Sequence, residues 1–183
     1  HKIIPAGAGL GGGSADAAFT LQLLKSIFNI NLSIEELKNY ASQLGSDCSF
    51  FIENKPSFAS GKGELLEDIE LNLSGLHIAM IKPDVSISTI QAYQTIKPSQ
   101  PLVSLRELIL QPFEKWKENI VNDFEKGIFK LYPQSEQIKN DLYANGCVYA
   151  SMSGSGSCLY GISYEKINIE NKFNDCLVWQ GIL

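Results

Sequence analysis

Pro5-Ala6-Gly7-Ala8-Gly9-Leu10-Gly11-Gly12-Gly13-Ser14-Ala15 is the stretch on which the reading of this chain turns. Glycine fills five of the seven positions from Gly7 to Gly13, and Asp16-Ala17-Ala18 then opens an amphipathic pattern. Without a Cβ, backbone N–H groups in such a segment can turn inward and approach an anion closely. A following helix adds the unpaired N–H groups of its first turn and the positive end of its dipole. On its residues the stretch is a phosphate cradle. A flexible linker fits poorly, because Leu10 sits in its middle and a helix follows at once.

Two familiar phosphate loops are tested against it and fail. No Lys-Ser/Thr pair follows the last glycine, as a Walker A loop requires. Gly7-x-Gly9-x-x-Gly12 matches the dinucleotide fingerprint formally. That fingerprint also needs an acidic residue about twenty positions on, ending a second strand. Here the region reads as helix and then Asn29-Ile30-Asn31.

Outward from the loop, Ser14 is expected to cap a helix over 15–29, with Ala17, Ala18, Leu21, Leu24 and Phe28 facing inward. Ser33 and Glu36 form a capping box for a second helix that buries Leu37, Tyr40, Ala41 and Leu44 and stops at Gly45. Phe50-Phe51-Ile52 and the flanks of Gly61-Lys62-Gly63 read as short strands, and 76–82 as a buried one. Further helices are expected over 88–96, from a Ser104/Glu107 capping box to Pro112, over 114–132 and over 135–144. In the 114–132 helix, Trp116, Ile120, Phe124, Ile128 and Leu131 face inward. The prolines of 97–101 mark a surface loop. Strands are expected at 148–150, 158–162 and 177–183. Helices and strands without a strict βαβ rhythm make an α+β chain.

Composition bounds the function. The 183 residues are 44% apolar and 19% charged, a globular mixture. Fifteen basic against twenty acidic residues give a net charge of −5, and Arg106 is the single arginine, so no nucleic-acid partner is expected. The apolar runs are too short to span a bilayer and no signal-peptide pattern precedes the glycines, so no membrane is expected either. Cys48, Cys147, Cys158 and Cys176 lack metal-site spacing and read as free thiols of a cytoplasmic protein.

Two other segments can carry chemistry. Met152-Ser153-Gly154-Ser155-Gly156-Ser157 lies between two apolar runs and is either a hairpin turn or a second anion-binding loop. Asp47 lies between a helix stop and an apolar run, where a partly desolvated carboxylate could serve as general base. It could equally be a turn aspartate bonded to its own backbone. His1 and His77 point to no chemistry.

These elements, in this order, resemble the GHMP kinase superfamily of small-molecule kinases. The likeness rests on residues 4–18, on Leu44-Gly45-Ser46-Asp47 followed by Phe50-Phe51, and on Gly61-Lys62-Gly63-Glu64. It continues through Pro83-Asp84-Val85-Ser86-Ile87-Ser88-Thr89 with Tyr93, Asn122-Asp123-Phe124-Glu125 and the 152–157 loop. Within the superfamily it is nearest the branch acting on a cytidine-diphosphate-linked methylerythritol in non-mevalonate isoprenoid synthesis. The resemblance implies a GHMP kinase fold. Residues 1–72 would be part of an N-terminal domain of ribosomal-protein-S5-domain-2 type, and 73–183 a ferredoxin-like α/β sandwich. It implies ATP-dependent phosphorylation of a substrate hydroxyl, with Asp47 as base. Pro5 to Ala15 and Gly154, Ser155 and Gly156 would hold the ATP phosphates. Ser14 would sit near Mg²⁺, and Thr89 and Tyr93 would line the substrate side. Another GHMP kinase, of homoserine or mevalonate type, and a non-catalytic nucleotide-binding module are the alternatives.

The chain departs from the family pattern in two places. The family places a strand-rich segment with a catalytic lysine before the glycine motif, and Lys2 matches a different position. An upstream segment is therefore expected, and without it the first domain would leave apolar surface uncovered. Cys48-Ser49 stands where the family usually has Val-Pro.

Overall fold

The computed structural model describes residues 1–97, 99, 101–169 and 172–183. It divides into two compact units, Gly11–Leu71 and a second made of His1–Leu10 with Asn72–Leu183. This division differs from the expected 1–72/73–183 split by the first ten residues. They join the second unit because Cys158 N–H donates to the Ala8 carbonyl at 3.0 Å and Ser153 Oγ donates to the Gly9 carbonyl at 2.7 Å.

In the Gly11–Leu71 unit, α1 (Gly12–Ile27) begins earlier than a Ser14 cap would place it. Gly11, left-handed at φ 64°, is the N-cap, no side chain caps the helix, and Ser14 lies inside its first turn. The buried face is the small-residue one of Gly12, Ala15 and Ala18. Leu24 and Phe28, expected inside, are 41% and 68% exposed, and Phe19, Leu23 and Ile27 are exposed beside them. The small face permits close packing on its neighbours, and the large apolar side chains are left outward.

The Ser33/Glu36 capping box forms at the start of α2 (Ile34–Leu44): Glu36 N–H donates to Ser33 Oγ at 3.2 Å and Ser33 N–H to Glu36 Oε2 at 2.7 Å. The Ser33 N–H bond, and a second donated by Ser33 Oγ to Glu36 Oε2 at 2.8 Å, favour the ionised carboxylate and hold the Glu36 pKa below its ordinary value. Leu37 and Ala41 are buried, whereas Tyr40 and Leu44 are exposed. A 3₁₀ turn, Ser46–Ser49, leads into α3 (Phe50–Glu53), so Phe50-Phe51-Ile52 is helical and not the expected strand. Gly45 ends α2 so close by that the chain continues in tight turns, with Cys48 N–H on the Gly45 carbonyl and Asn54 N–H on the Phe50 carbonyl. Ala18, Leu37, Ala41, Cys48 and Ile52 form the core of this unit. The hairpin of β1 (Ser57–Ser60) and β2 (Leu65–Asp68) turns at Gly61-Lys62-Gly63 as expected.

The second unit is built on an antiparallel sheet of β3 (His77–Pro83), β4 (Tyr149–Met152), β5 (Leu159–Ser163) and β6 (Cys176–Ile182), in spatial order β4-β5-β3-β6. With strands counted along the chain this is order 2-3-1-4, the ferredoxin-like arrangement. Between β3 and β4 run α4 (Thr89–Gln94), α5 (Leu105–Ile109), a 3₁₀ turn Phe113–Lys115, α6 (Trp116–Asn119), α7 (Glu125–Leu131) and α8 (Pro133–Ala144). Among the described residues no helix lies between β5 and β6. Ile81, Ile128, Leu142, Ala150 and Leu159 form the fully buried centre of this unit.

The single helix expected over 114–132 is two, broken at Ile120, which is extended, and resumed at Glu125. Asn122 explains the break. Its Oδ1 accepts Phe124 N–H at 3.0 Å, and its Nδ2 donates to the carbonyls of Met152 and Gly154. Such side-chain bonds compete with the helix ladder. Trp116 and Ile128 are buried as expected, and Leu131 is exposed. Pro133 starts α8 two positions before the expected Ser135, a position that costs no helix bond. Ser88 and Ser104 cap α4 and α5 by accepting the N–H groups of Gln91 and Arg106. The expected 97–101 loop lies partly outside the described residues. No helix among those described is long and apolar enough to cross a membrane.

All four cysteines are free thiols; Cys48, Cys147 and Cys158 are buried and Cys176 is half-buried. Burial pushes the Cys147 and Cys158 thiols up to about 11. A thiol reagent at neutral pH is expected to label Cys176 first, and all four only after unfolding, as peptide mass spectrometry would show. In the unfolded chain Cys147 and Cys158 ionise at their ordinary value, before they do in the fold. Stability should therefore fall as pH rises from about 9 toward 11, read as a falling unfolding midpoint.

Candidate functional site

The glycine stretch is shared between the units: residues through Leu10 belong to one and those from Gly11 to the other. In the sheet-containing unit Ala8 is 1% exposed and anchored by its carbonyl to Cys158 N–H, which fixes the chain beside the 153–157 loop. Gly9 adopts φ +73° with its Cα against that loop, where an added Cβ would stand 2.0 Å from the Ser153 carbonyl oxygen and 2.9 Å from that of Gly156. Gly154 in turn abuts Gly9, with the Gly9 carbonyl oxygen 3.3 Å from where a Cβ would be. The structure thus brings two small-residue segments 144 positions apart in sequence into backbone contact. At Gly9 a side chain would not allow it. Ser155 lies at the turn between Gly154 and Gly156, which has φ +89°.

The loop is further tied down by Ser157 Oγ, which donates to the Val85 carbonyl at 2.7 Å. Gly7 has φ +67° and faces Ser86, and Pro5 and Ala6 lead into it from the chain start. Thr89 opens α4 and is exposed. Tyr93, 62% exposed, meets the Phe124 ring edge-to-face at 5.1 Å, which leaves much of its aromatic surface to solvent.

In the Gly11–Leu71 unit the sixteen-residue α1 presents a bare N-terminus. Its first intrahelical bond is Ala15 N–H to the Gly11 carbonyl at 2.9 Å, and among the described residues the N–H groups of Gly12, Gly13 and Ser14 enter no backbone hydrogen bond. Gly13 has open space around it. Gly11 backs onto Phe51, whose ring would lie 2.8 Å from an added Cβ.

Asp47 stands on the 3₁₀ turn, which packs on α1 and α2. Its side chain is exposed, not partly desolvated as expected, because the turn's buried residues are its successors Cys48 and Ser49. Gly63 of the hairpin turn lies against it, at φ +106° with Asp47 Oδ1 3.0 Å from where a Cβ would stand. The sequence marks Gly63 as part of a turn, but not its place beside Asp47.

Comparison with known proteins also matches two segments, the first of which includes the ten residues that pack with the sheet-containing unit. The model of the GHMP kinases N terminal domain matches residues 1–55, and that of the GHMP kinases C terminal matches residues 104–177. A relative from Parabacteroides distasonis, a 4-diphosphocytidyl-2-C-methyl-D-erythritol kinase, is 45% identical over all of this chain and 68% of its own length. The chain belongs to the GHMP kinases. A Bacteroides fragilis kinase of the same description is 52% identical over 88% of the chain, and the match spans 59% of that relative's length. A crystal structure of 4-(cytidine 5'-diphospho)-2C-methyl-D-erythritol kinase superposes with a TM-score of 0.78 at 26% identity, covering 99% of this chain and 68% of that one. Homoserine kinase from Cytophaga hutchinsonii gives a TM-score of 0.67 at 16% identity, over 100% of this chain and 68% of its own, and shares the GHMP kinase fold.

Proposed function

We propose that this chain is part of an ATP-dependent kinase that phosphorylates the 2-hydroxyl of 4-diphosphocytidyl-2-C-methyl-D-erythritol, a step of non-mevalonate isoprenoid synthesis. The observation that carries the reading is the 45% identity over the full chain to a relative of that activity. Free thiols fit a cytoplasmic setting. The homoserine kinase is similar at the level of fold alone.

The reaction asks for positioning and charge stabilisation more than covalent chemistry from the protein. The segment from Pro5 to Ala15 and the loop at Gly154, Ser155 and Gly156 hold the ATP phosphates, with the backbone N–H groups of Gly12, Gly13, Ser14, Gly154 and Ser155 as donors. Asp47 accepts the hydroxyl proton as the substrate oxygen bonds the γ-phosphorus and the bond to the β,γ-bridging oxygen breaks, releasing ADP. Thr89 and Tyr93 line the substrate side, where an exposed ring suits stacking on a base. Among the described residues no cluster of three His, Cys, Asp or Glu forms a metal cage. The Ser14 hydroxyl, a hard oxygen donor in the first turn of α1, would be a protein ligand for Mg²⁺ carried by the nucleotide. Bound there, the ion would supply charge neutralisation on the phosphates.

The test supplies the protein at its natural length with γ-labelled ATP and, separately, the cytidyl substrate, homoserine and mevalonate. Label is expected in the cytidyl compound alone. Transfer to homoserine or mevalonate instead, or ATP binding with no transfer to any alcohol, would overturn the assignment.

A further inference from the structure

Glu125 is a buried carboxylate to which the reaction gives no task. It is 4% exposed, and both its oxygens are committed. Oε1 accepts Met152 N–H at 2.8 Å and Ser151 Oγ at 3.1 Å, and Oε2 pairs with Lys139 Nζ at 2.5 Å. Three residues earlier, Asn122 Nδ2 donates to the Met152 carbonyl at 2.7 Å and to the Gly154 carbonyl at 2.8 Å. Met152 ends β4 where the 153–157 loop begins; Glu125, first residue of α7, holds its N–H, and Asn122, from the break before α7, its C=O.

A hairpin turn between β4 and β5 needs no such apparatus, since backbone bonds suffice to close one. Burying a carboxylate is costly unless it is paired and hydrogen-bonded, and here the whole arrangement converges on one strand end. Its consequence for the loop is a sorting of polar groups. The carbonyls of Met152 and Gly154 are taken by Asn122, and that of Gly9 by Ser153 Oγ. Among the described residues the N–H groups of Gly154 and Ser155 enter none of the loop's hydrogen bonds. Three carbonyls that would repel an anion are thus occupied and two donors that would bind one remain, while the Gly156 N–H closes the turn on the Ser153 carbonyl at 2.9 Å.

We propose that Asn122 and Glu125, the latter set by Lys139, are positioning residues that hold the 153–157 loop in its phosphate-binding conformation. The inference rests on the phosphate-site reading above. Asn122→Asp keeps the size, removes both donated bonds and sets a carboxylate against two carbonyls. Glu125→Gln keeps the shape and ends the pairing with Lys139. Both are made in the protein at its natural length, with ATP and the cytidyl substrate titrated separately by calorimetry.

The affinity for ATP should fall about tenfold or more in Asn122→Asp, from two lost hydrogen bonds. Glu125→Gln should also weaken ATP. The cytidyl substrate should bind as in the wild type, and Lys139→Arg should retain wild-type ATP affinity. Should Asn122→Asp fail to fold, Asn122→Ala removes the same bonds without a charge and is read the same way. Wild-type protein that binds no ATP overturns the phosphate-site reading and this inference with it. ATP binding equally tight in wild type and variants, or weakened equally with that of the cytidyl substrate, overturns the inference alone.

Discussion

Asp47→Asn is expected to lower phosphoryl transfer by about 10²- to 10⁴-fold, the usual contribution of a positioned general base, while ATP affinity stays within about a factor of two. The substitution is informative because asparagine keeps the size of aspartate and makes the same local turns, so a merely turn-forming Asp47 would pass it unharmed. What asparagine cannot do is take a proton. The 3₁₀ turn places the carboxylate in solvent reach, with Cys48 and Ser49 buried behind it. Gly63 sets one side of its position, since a Cβ there would come within 3.0 Å of Oδ1 at a backbone φ of +106°. Gly63→Ala should therefore displace the carboxylate and strain the hairpin, lowering turnover with a smaller effect than Asp47→Asn. Turnover measured by ADP release, with helicity followed by circular dichroism, checks both. A rate for Asp47→Asn within tenfold of wild type would remove Asp47 as the base.

Much of this architecture was legible because it is locally encoded. Ser33 and Glu36 specify their capping box within four residues, and Gly61-Lys62-Gly63 marks its hairpin by residue type alone. The buried β3 shows as an apolar run, and the glycines of residues 7–13 announce a close backbone approach. What the sequence withheld depends on partners far along the chain. Asn122 breaks the helix expected over 114–132 by bonding carbonyls 30 and 32 residues away, which no local pattern encodes. Phe50-Phe51-Ile52 has strand-like residues, but the turn begun at Gly45 continues through it as helix. Helical periodicity correctly marks α1 as two-faced. It cannot say which face the unit buries, and the small face of Gly12, Ala15 and Ala18 is chosen over Leu24 and Phe28. At the site, the glycine positions and Asp47 could be named from sequence. That Ser153 stands against Gly9 and Gly63 against Asp47 could not, because backbone proximity across a fold leaves no mark on composition.

Gly9→Ala is expected to carry a large structural effect for a single methyl group. At 2.0 Å from the Ser153 carbonyl oxygen, and 2.9 and 3.1 Å from the Gly156 carbonyl oxygen and nitrogen, the new Cβ overlaps backbone that no rotamer change can move aside. The φ of +73° adds about 1–2 kcal/mol for an L side chain in the left-handed region. Relief requires the two segments to separate, which breaks the Ser153 Oγ bond to the Gly9 carbonyl and pulls on the neighbouring Cys158 N–H bond to the Ala8 carbonyl. A stability loss of about 3 kcal/mol or more is expected from urea unfolding, with ATP affinity reduced about a hundredfold or beyond in the protein that remains folded. Gly13→Ala is the matched control. Gly13 is a helical glycine with no atom within 4 Å of a built Cβ, so alanine there should leave stability unchanged or raise it by up to about 1 kcal/mol through helix propensity. Equal stability losses at the two positions would mean that glycine serves this stretch through flexibility. A loss confined to Gly9 means that it serves through contact, at the one place where the chain's first residues meet the loop 144 positions later.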